Sequence, residues 1–248
     1  MRVLVWIVAA AAVSACAPGP PVVSPSPAPT PSVENAADRH REVQWVRTAA
    51  EYRALSVQVF RTAADRLREI TDTLTAEHWG VIMDADETLL DNSEFERRIA
   101  ETGEPFEEAM WDAWVLEEAA GAVPGAVVFT ELVERLGGRV AVVTNRDERL
   151  CPATRRNLHG IGVRAAVVLC ETETGEKEPR FRSVQEGTAA EGLPPLHVVL
   201  WIGDNIGDFP DLEQAVRDGP DSVFAPFGDR YFVIPHPMYG SWMGNPWR

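Results

Sequence analysis

Basic side chains are in short supply. Lys and Arg total 23 against 38 Asp and Glu, giving a formal charge of −15 and an isoelectric point near 4.8. Holding a nucleic-acid backbone requires a positive surface, so a nucleic-acid polymer is excluded as a partner. Histidine is also sparse: the five residues are scattered without metal-ligand spacing and read as ordinary surface or core positions. No internal repeat is visible. The one markedly apolar N-terminal run, VLVWIVAAAAV, is too short to span a bilayer. What is present, 45% hydrophobic and 25% charged residues over 248 positions, suffices for one sizeable core, which favours a single α/β domain with appendages.

The first residues read as an export signal. Arg2, the apolar run and the small residues Val13, Ser14 and Ala15 precede Cys16 as in a bacterial lipobox, where the cysteine is lipidated and becomes the mature N-terminus. Residues 1–15 are therefore assigned to a signal peptide, and 16–36, rich in Pro and Ser, to an extended tether. The expectation is an exported protein, lipid-anchored through Cys16 to a bacterial membrane or cell surface, with one domain over 37–248. Cys151 and Cys170 remain; a disulfide and two buried thiols are both open, because sequence does not fix their geometry.

Within the domain, Trp45, Ala49, Tyr52, Val59, Phe60, Ala63, Leu67 and Ile70 recur at helical spacing, so residues 37–73 form an amphipathic helical region, broken or double, laid over a sheet. Gly80 to Met83 is apolar without alternation, as in a central strand covered on both faces, and it breaks into Asp84 and Asp86. Residues 92–122 are an acidic insertion with a helical stretch holding Trp111 and Trp114; placed after a strand, it overhangs the carboxyl edge. Pro124 opens a helix that Gly137 and Gly138 stop. Further strands follow at 139–143, 165–169 and 198–202, alternating with helical segments at 151–160 and beyond Lys177. The pattern is that of a mainly parallel sheet flanked by helices.

Each apolar strand delivers polar residues toward the edge where such sheets bind ligands: Asp84 and Asp86, Thr144 and Asn145, Lys177, then Asp204 and Asp208. Phosphoryl transfer needs this set: an anionic nucleophile, a proton donor for the leaving oxygen, hydroxyl and amide donors, a cation, and carboxylates able to hold Mg²⁺.

With DADET, VVTN, a later lysine and GDNIGD in that order, the chain resembles the haloacid dehalogenase-like phosphohydrolases. WVRTAAEYRAL, DADETLLDNS, AVPGAV, VVTNR, KEPRF, WIGDNIGDF and PHPMYGSW narrow the resemblance to the class C acid phosphatases, the bacterial lipoprotein acid phosphatase and 5′-nucleotidase group, over nearly all of residues 42–242. The resemblance implies a Rossmann-like parallel sheet with a small helical cap. It also implies hydrolysis of phosphomonoesters: Asp84 attacks phosphorus, and Asp86 protonates the leaving alcohol and later activates water. Thr144, Asn145 and Lys177 would bind phosphate; Asp84, the Asp86 carbonyl, Asp204 and Asp208 would hold Mg²⁺. Pro179 stands where a small residue is expected, and His236 and Pro237 lie where the family varies.

Trp111, Trp114 and Tyr239 are assigned to the substrate, as aromatic faces that stack on a nucleobase. Two other functions stay open. A phosphotransferase or mutase of the same fold would pass the phosphoryl group to an alcohol, and a membrane-tethered binding or adhesion lipoprotein would keep the fold as a scaffold.

Overall fold

The computed structural model describes residues 40–246, so the expected signal peptide, Cys16 and the tether lie outside the described residues. The chain enters through helices α1 (Arg41–Thr48) and α2 (Ala50–Thr71), separated where Ala49 adopts an extended backbone. Strand β1 (Trp79–Met83) follows. Next comes an insertion in which helices α3 (Ser93–Thr102) and α4 (Glu108–Glu117) are bracketed by β2 (Leu90–Asp91) and β3 (Gly121–Ala122). Helix α5 (Ala126–Arg135), β4 (Arg139–Asp147), α6 (Cys151–Gly160), β5 (Val167–Glu171), α7 (Glu178–Glu186), β6 (His197–Gly203) and β7 (Tyr231–Val233) complete the domain.

Five strands form one sheet in the order β5-β4-β1-β6-β7, with every neighbouring pair parallel. The chain builds outward from β1 to β4 and β5, then returns to the other side of β1 for β6 and β7. This reversal opens a crevice beyond the carboxyl ends of β1 and β6, the usual place for a ligand in a doubly wound sheet.

The unbroken apolar strands are explained by two cores. Val81, Met83, Val140, Val142, Leu200 and Ile202 pack with Phe60 and Leu67 of α2 and Phe129 of α5. Their neighbours Ile82, Ala141, Val143 and Trp201 point to the other face, against Phe181 and Val184 of α7. Alternation along a strand thus sorts apolar residues between two buried faces rather than between core and water. Each fully buried aliphatic or aromatic side chain contributes roughly 1.5–3 kcal/mol.

Several boundaries differ from the sequence reading. The helix expected at Pro124 begins two residues later, because Gly125 takes a left-handed conformation (φ 98°) ahead of it. The N-terminal helices do not form one layer over the sheet. α2 does so, whereas Val43 and Val46 of α1 join Tyr52 and Met238 in a separate cluster. β7 has only three residues, YFV, and follows a long stretch of short 3₁₀ turns, so it offers no pattern long enough to read. Cys151 and Cys170 form a disulfide with their Cα atoms 5.9 Å apart, closing a sequence separation of 19. Loop-closure entropy over such a span is worth about 3 kcal/mol. The bond ties the start of α6 to β5.

Candidate active site

The pairing of β1 with β6 continues one residue past the strand, where Asp84 N donates to Ile202 O at 3.0 Å. The chain then turns tightly: the amides of Leu89 and Leu90 both donate to Ala85 O, at 2.9 and 2.8 Å. This turn separates the two aspartates into different surroundings.

Asp84 joins Asp204 and Asp208, which follow β6, in a cluster whose carboxylate oxygens lie within 4.8 Å of one another. Gly203 is required there, since a Cβ on it would sit 2.3 Å from the Asp208 side chain. Lys177, at the N-terminus of α7, bonds Asp84 Oδ1 and reaches Asp208 Oδ1 at 2.7 Å. Pro179 falls in the first turn of α7, where a missing N–H costs nothing.

Burial pushes the Asp84 carboxyl well above its ordinary range; Lys177 opposes that shift, and the neighbouring carboxylates add to it. Asp204 is raised by burial and by Asp208. Burial disfavours the Lys177 ammonium, but Asp208 and Asp84 outweigh it and hold the group above its usual value. Three buried carboxylates against one ammonium leave negative charge uncompensated. A converging set of hard oxygen donors of this kind fits a divalent cation. Glu148, Cys151 and Cys170 also lie close together, but both sulfurs are consumed by the disulfide.

Asp86 has other partners. Arg146, 2% exposed, places Nη2 at 2.7 Å and Nε at 3.0 Å from Asp86 Oδ1. Asn92 Nδ2 donates to the same oxygen at 2.8 Å and to Glu87 Oε2 at 2.8 Å. Glu87, held at φ 54°, also accepts from Asn92 N at 2.9 Å and from the Tyr239 hydroxyl at 2.9 Å. Burial pushes the Glu87 carboxyl up to about 8, and burial together with Glu87 raises the Tyr239 hydroxyl. His236 places Nδ1 at 3.1 Å from Asp204 Oδ2, and burial lowers the affinity of its ring for a proton.

Asp84, Asp86, Lys177, Asp204 and Asp208 line one cavity of about 680 Å³, whose apolar wall includes Phe95, Ile99, Phe106, Trp111, Met238 and Tyr239. Trp111 also lies over the Arg146 guanidinium, 5.3 Å from it. Trp114, expected at the substrate, is instead 2% exposed. Its indole N–H donates to Asn92 Oδ1 at 2.8 Å and its ring stacks on Phe95, so it supports the cap from within. Tyr239 lines the cavity but its hydroxyl is committed to Glu87. Asn145 lines the cavity with Nδ2 donating to Gly175 O at 2.9 Å and Oδ1 accepting from Arg180 at 2.6 Å. Thr144 is fully buried, and its Oγ1 accepts from Arg146 N at 3.1 Å.

Arg146, Asn92, Glu87 and His236 were not among the expected site residues. For Arg146 a signal existed. β4 runs on through Asp147, and from Thr144 onward its burial alternates, with Thr144 and Arg146 in and Asn145 and Asp147 out. Ending the strand at Val143 hid this. His236 carried no signal in spacing, because the strand pairing that brings it to Asp204 is nonlocal.

The family described as HAD superfamily, subfamily IIIB (Acid phosphatase), matches residues 23–242. The Class C acid phosphatase from Bacillus anthracis superposes with a TM-score of 0.75 at 29% identity, over 84% of this chain and 88% of its own. The structure of the Class C acid phosphatase from Bacillus anthracis with tungstate bound gives 0.74 at 28% identity, over 86% and 89%. HAD superfamily phosphatases use a divalent metal, and the Asp84, Asp204 and Asp208 cluster can bind one.

The Asp86 arrangement yields a prediction. Arg146→Met removes three donors from a buried network, and breaking a buried ion pair of this kind costs about 3 kcal/mol. Arg146→Lys keeps the charge but not the planar fork, so it is expected to fall between Met and wild type. Denaturant midpoints check the order; a Met variant as stable as wild type would contradict it.

Proposed function

The chain belongs to subfamily IIIB of the HAD superfamily, the acid phosphatases, and from that premise we propose that it is an exported, Mg²⁺-dependent phosphomonoesterase working through an aspartyl-phosphate on Asp84. The observation that carries this reading is the division of labour between two aspartates two residues apart. Asp84 sits with Lys177 and the carboxylate cluster, while Asp86 is held by Arg146 and Asn92, and both line the same cavity.

In this reading an oxygen of Asp84 bonds to phosphorus as the bond to the alcohol oxygen breaks, and Asp86 passes its proton to that leaving oxygen. Water then attacks phosphorus, Asp86 takes its proton back, and Asp84 is released with inorganic phosphate. General acid–base catalysis of this type is worth on the order of 10²–10⁴ in rate. Lys177 offsets charge on Asp84 and on the phosphoryl group. Arg180, which donates to Thr144 O and Asn145 Oδ1, fixes the stretch of β4 where Thr144 and Asn145 would meet phosphate oxygens. Mg²⁺ held by Asp84, Asp204, Asp208 and the Asp86 carbonyl would neutralise charge on the phosphate.

The cavity of about 680 Å³ is large for a phosphate group and within the size range of small-molecule sites. Its aromatic and aliphatic wall, with Trp111 and Tyr239, suits an apolar or aromatic alcohol moiety, 5′-nucleotides included. Export is supported by the N-terminal sequence and by the Cys151–Cys170 disulfide, which suits an oxidising compartment. Among the described residues no helix is long and apolar enough to cross a membrane, and anchoring is assigned to lipid on Cys16.

The test is a panel of a 5′-nucleotide, an aryl phosphate and glycerol phosphate. All three should be hydrolysed, the first two with higher kcat/KM, and a chelator should arrest turnover until Mg²⁺ is restored. Full turnover in excess chelator would refute the metal dependence. For the anchor, Cys16→Ser in the full chain should abolish incorporation of labelled fatty acid; labelling equal to wild type would place the lipid elsewhere.

A further inference from the structure

We propose that His236 is a positioning residue that holds the Asp204 carboxylate in its metal-binding orientation. The inference rests on the metal reading of the carboxylate cluster. Lys177 bonds two of the three carboxylates, Asp84 and Asp208. Asp208 is further held by the Asn205 amide, which donates to its Oδ2 at 2.8 Å. Asp204 is restrained differently: Thr88 Oγ1 lies 3.4 Å from Oδ1, a long contact, and His236 Nδ1 lies 3.1 Å from Oδ2.

The fold brings His236 there through the sheet. β7 pairs with β6 in the register Trp201↔Tyr231, Ile202↔Phe232, Gly203↔Val233, and the next amide, of Ile234, donates to Gly203 O at 2.8 Å. The strand pairing therefore runs to the threshold of Asp204, and His236 follows two residues later. Its side chain is 1% exposed and its ring meets Tyr239 edge-on with centroids 4.6 Å apart. Tyr239 is itself tied to Glu87, so the imidazole is fixed in place.

A carboxylate that holds a cation is ionised and only accepts hydrogen bonds, so in the metal-binding form the hydrogen of this contact is on Nδ1. Nε2 is buried with no hydrogen-bond partner, so the ring's polar contact among the described residues is the one to Asp204. A short edge strand that places one buried imidazole against one ligand carboxylate is a device for orienting that ligand. Such outer partners typically change metal affinity 10–100-fold when removed.

The experiment measures Mg²⁺ and Mn²⁺ dissociation constants by calorimetry on wild type, His236→Leu and His236→Asn, together with metal-free melting temperatures. The Asn side-chain nitrogen, one bond from Cγ like Nδ1, can restore the donor. The expected result is a dissociation constant raised about 10–100-fold in the Leu variant and recovered to within a few-fold of wild type in the Asn variant. Wild-type affinity in the Leu variant would overturn the proposal. So would equal weakening in both variants with equally lowered metal-free melting temperatures, which would mean that His236 only packs. A wild-type protein that binds neither metal would instead refute the metal reading itself, and with it this inference.

Discussion

The arrangement on which the site depends is the confinement of Asp84, Asp204 and Asp208 around Lys177 at the carboxyl end of the sheet. Carboxylates this close, out of water, repel one another and resist ionisation, so the fold must hold them there by other means. It does so with strands buried on both faces, whose packing fixes where each strand ends. β1 and β6 are neighbours at the point where the strand order reverses, and the absence of a side chain at Gly203 lets Asp208 close on the cluster. The single ammonium of Lys177, delivered by the N-terminus of α7, offsets part of the charge and leaves the remainder for a divalent cation.

The same turn that fixes Asp84 sends Asp86 into a separate polar network. Arg146, Asn92, Glu87, Tyr239 and Trp114 are linked through it by hydrogen bonds, and they come from the β1 turn, β4, the cap and the late loop. Networks of this kind are costly when one member is missing. The cap is thus tied to Asp86, the proposed general acid–base residue, by the side chain of Asn92, which bonds Asp86 and Trp114 at once. Trp111 packs on Arg146 from the cavity side. Cap position and the orientation of Asp86 are therefore one structural problem in this protein.

What could be read from the sequence follows from burial. The apolar runs ending in Met83, Val143 and Ile202 were legible because burial on both faces removes alternation, so each run breaks sharply where the polar edge begins. The order of those breaks carried the family. Trp114 was misplaced because an aromatic in a cap helix looks the same whether it faces inward or outward, and only the indole contact with Asn92 decides. Arg146 was missed by ending β4 too soon, and His236 because a three-residue strand leaves no periodic trace. These residues act through contacts between segments distant in sequence, where local pattern is silent.

The measurement that bears most directly on this account is the identity of the phosphorylated residue. Asp86→Asn protein mixed with an aryl phosphate, whose leaving group needs little protonation, and quenched in acid should yield a phosphorylated peptide. Fragmentation is expected to place the phosphoryl group on Asp84. A phosphoryl group on any other side chain would contradict it, as would turnover by an Asp84→Asn variant at the wild-type rate.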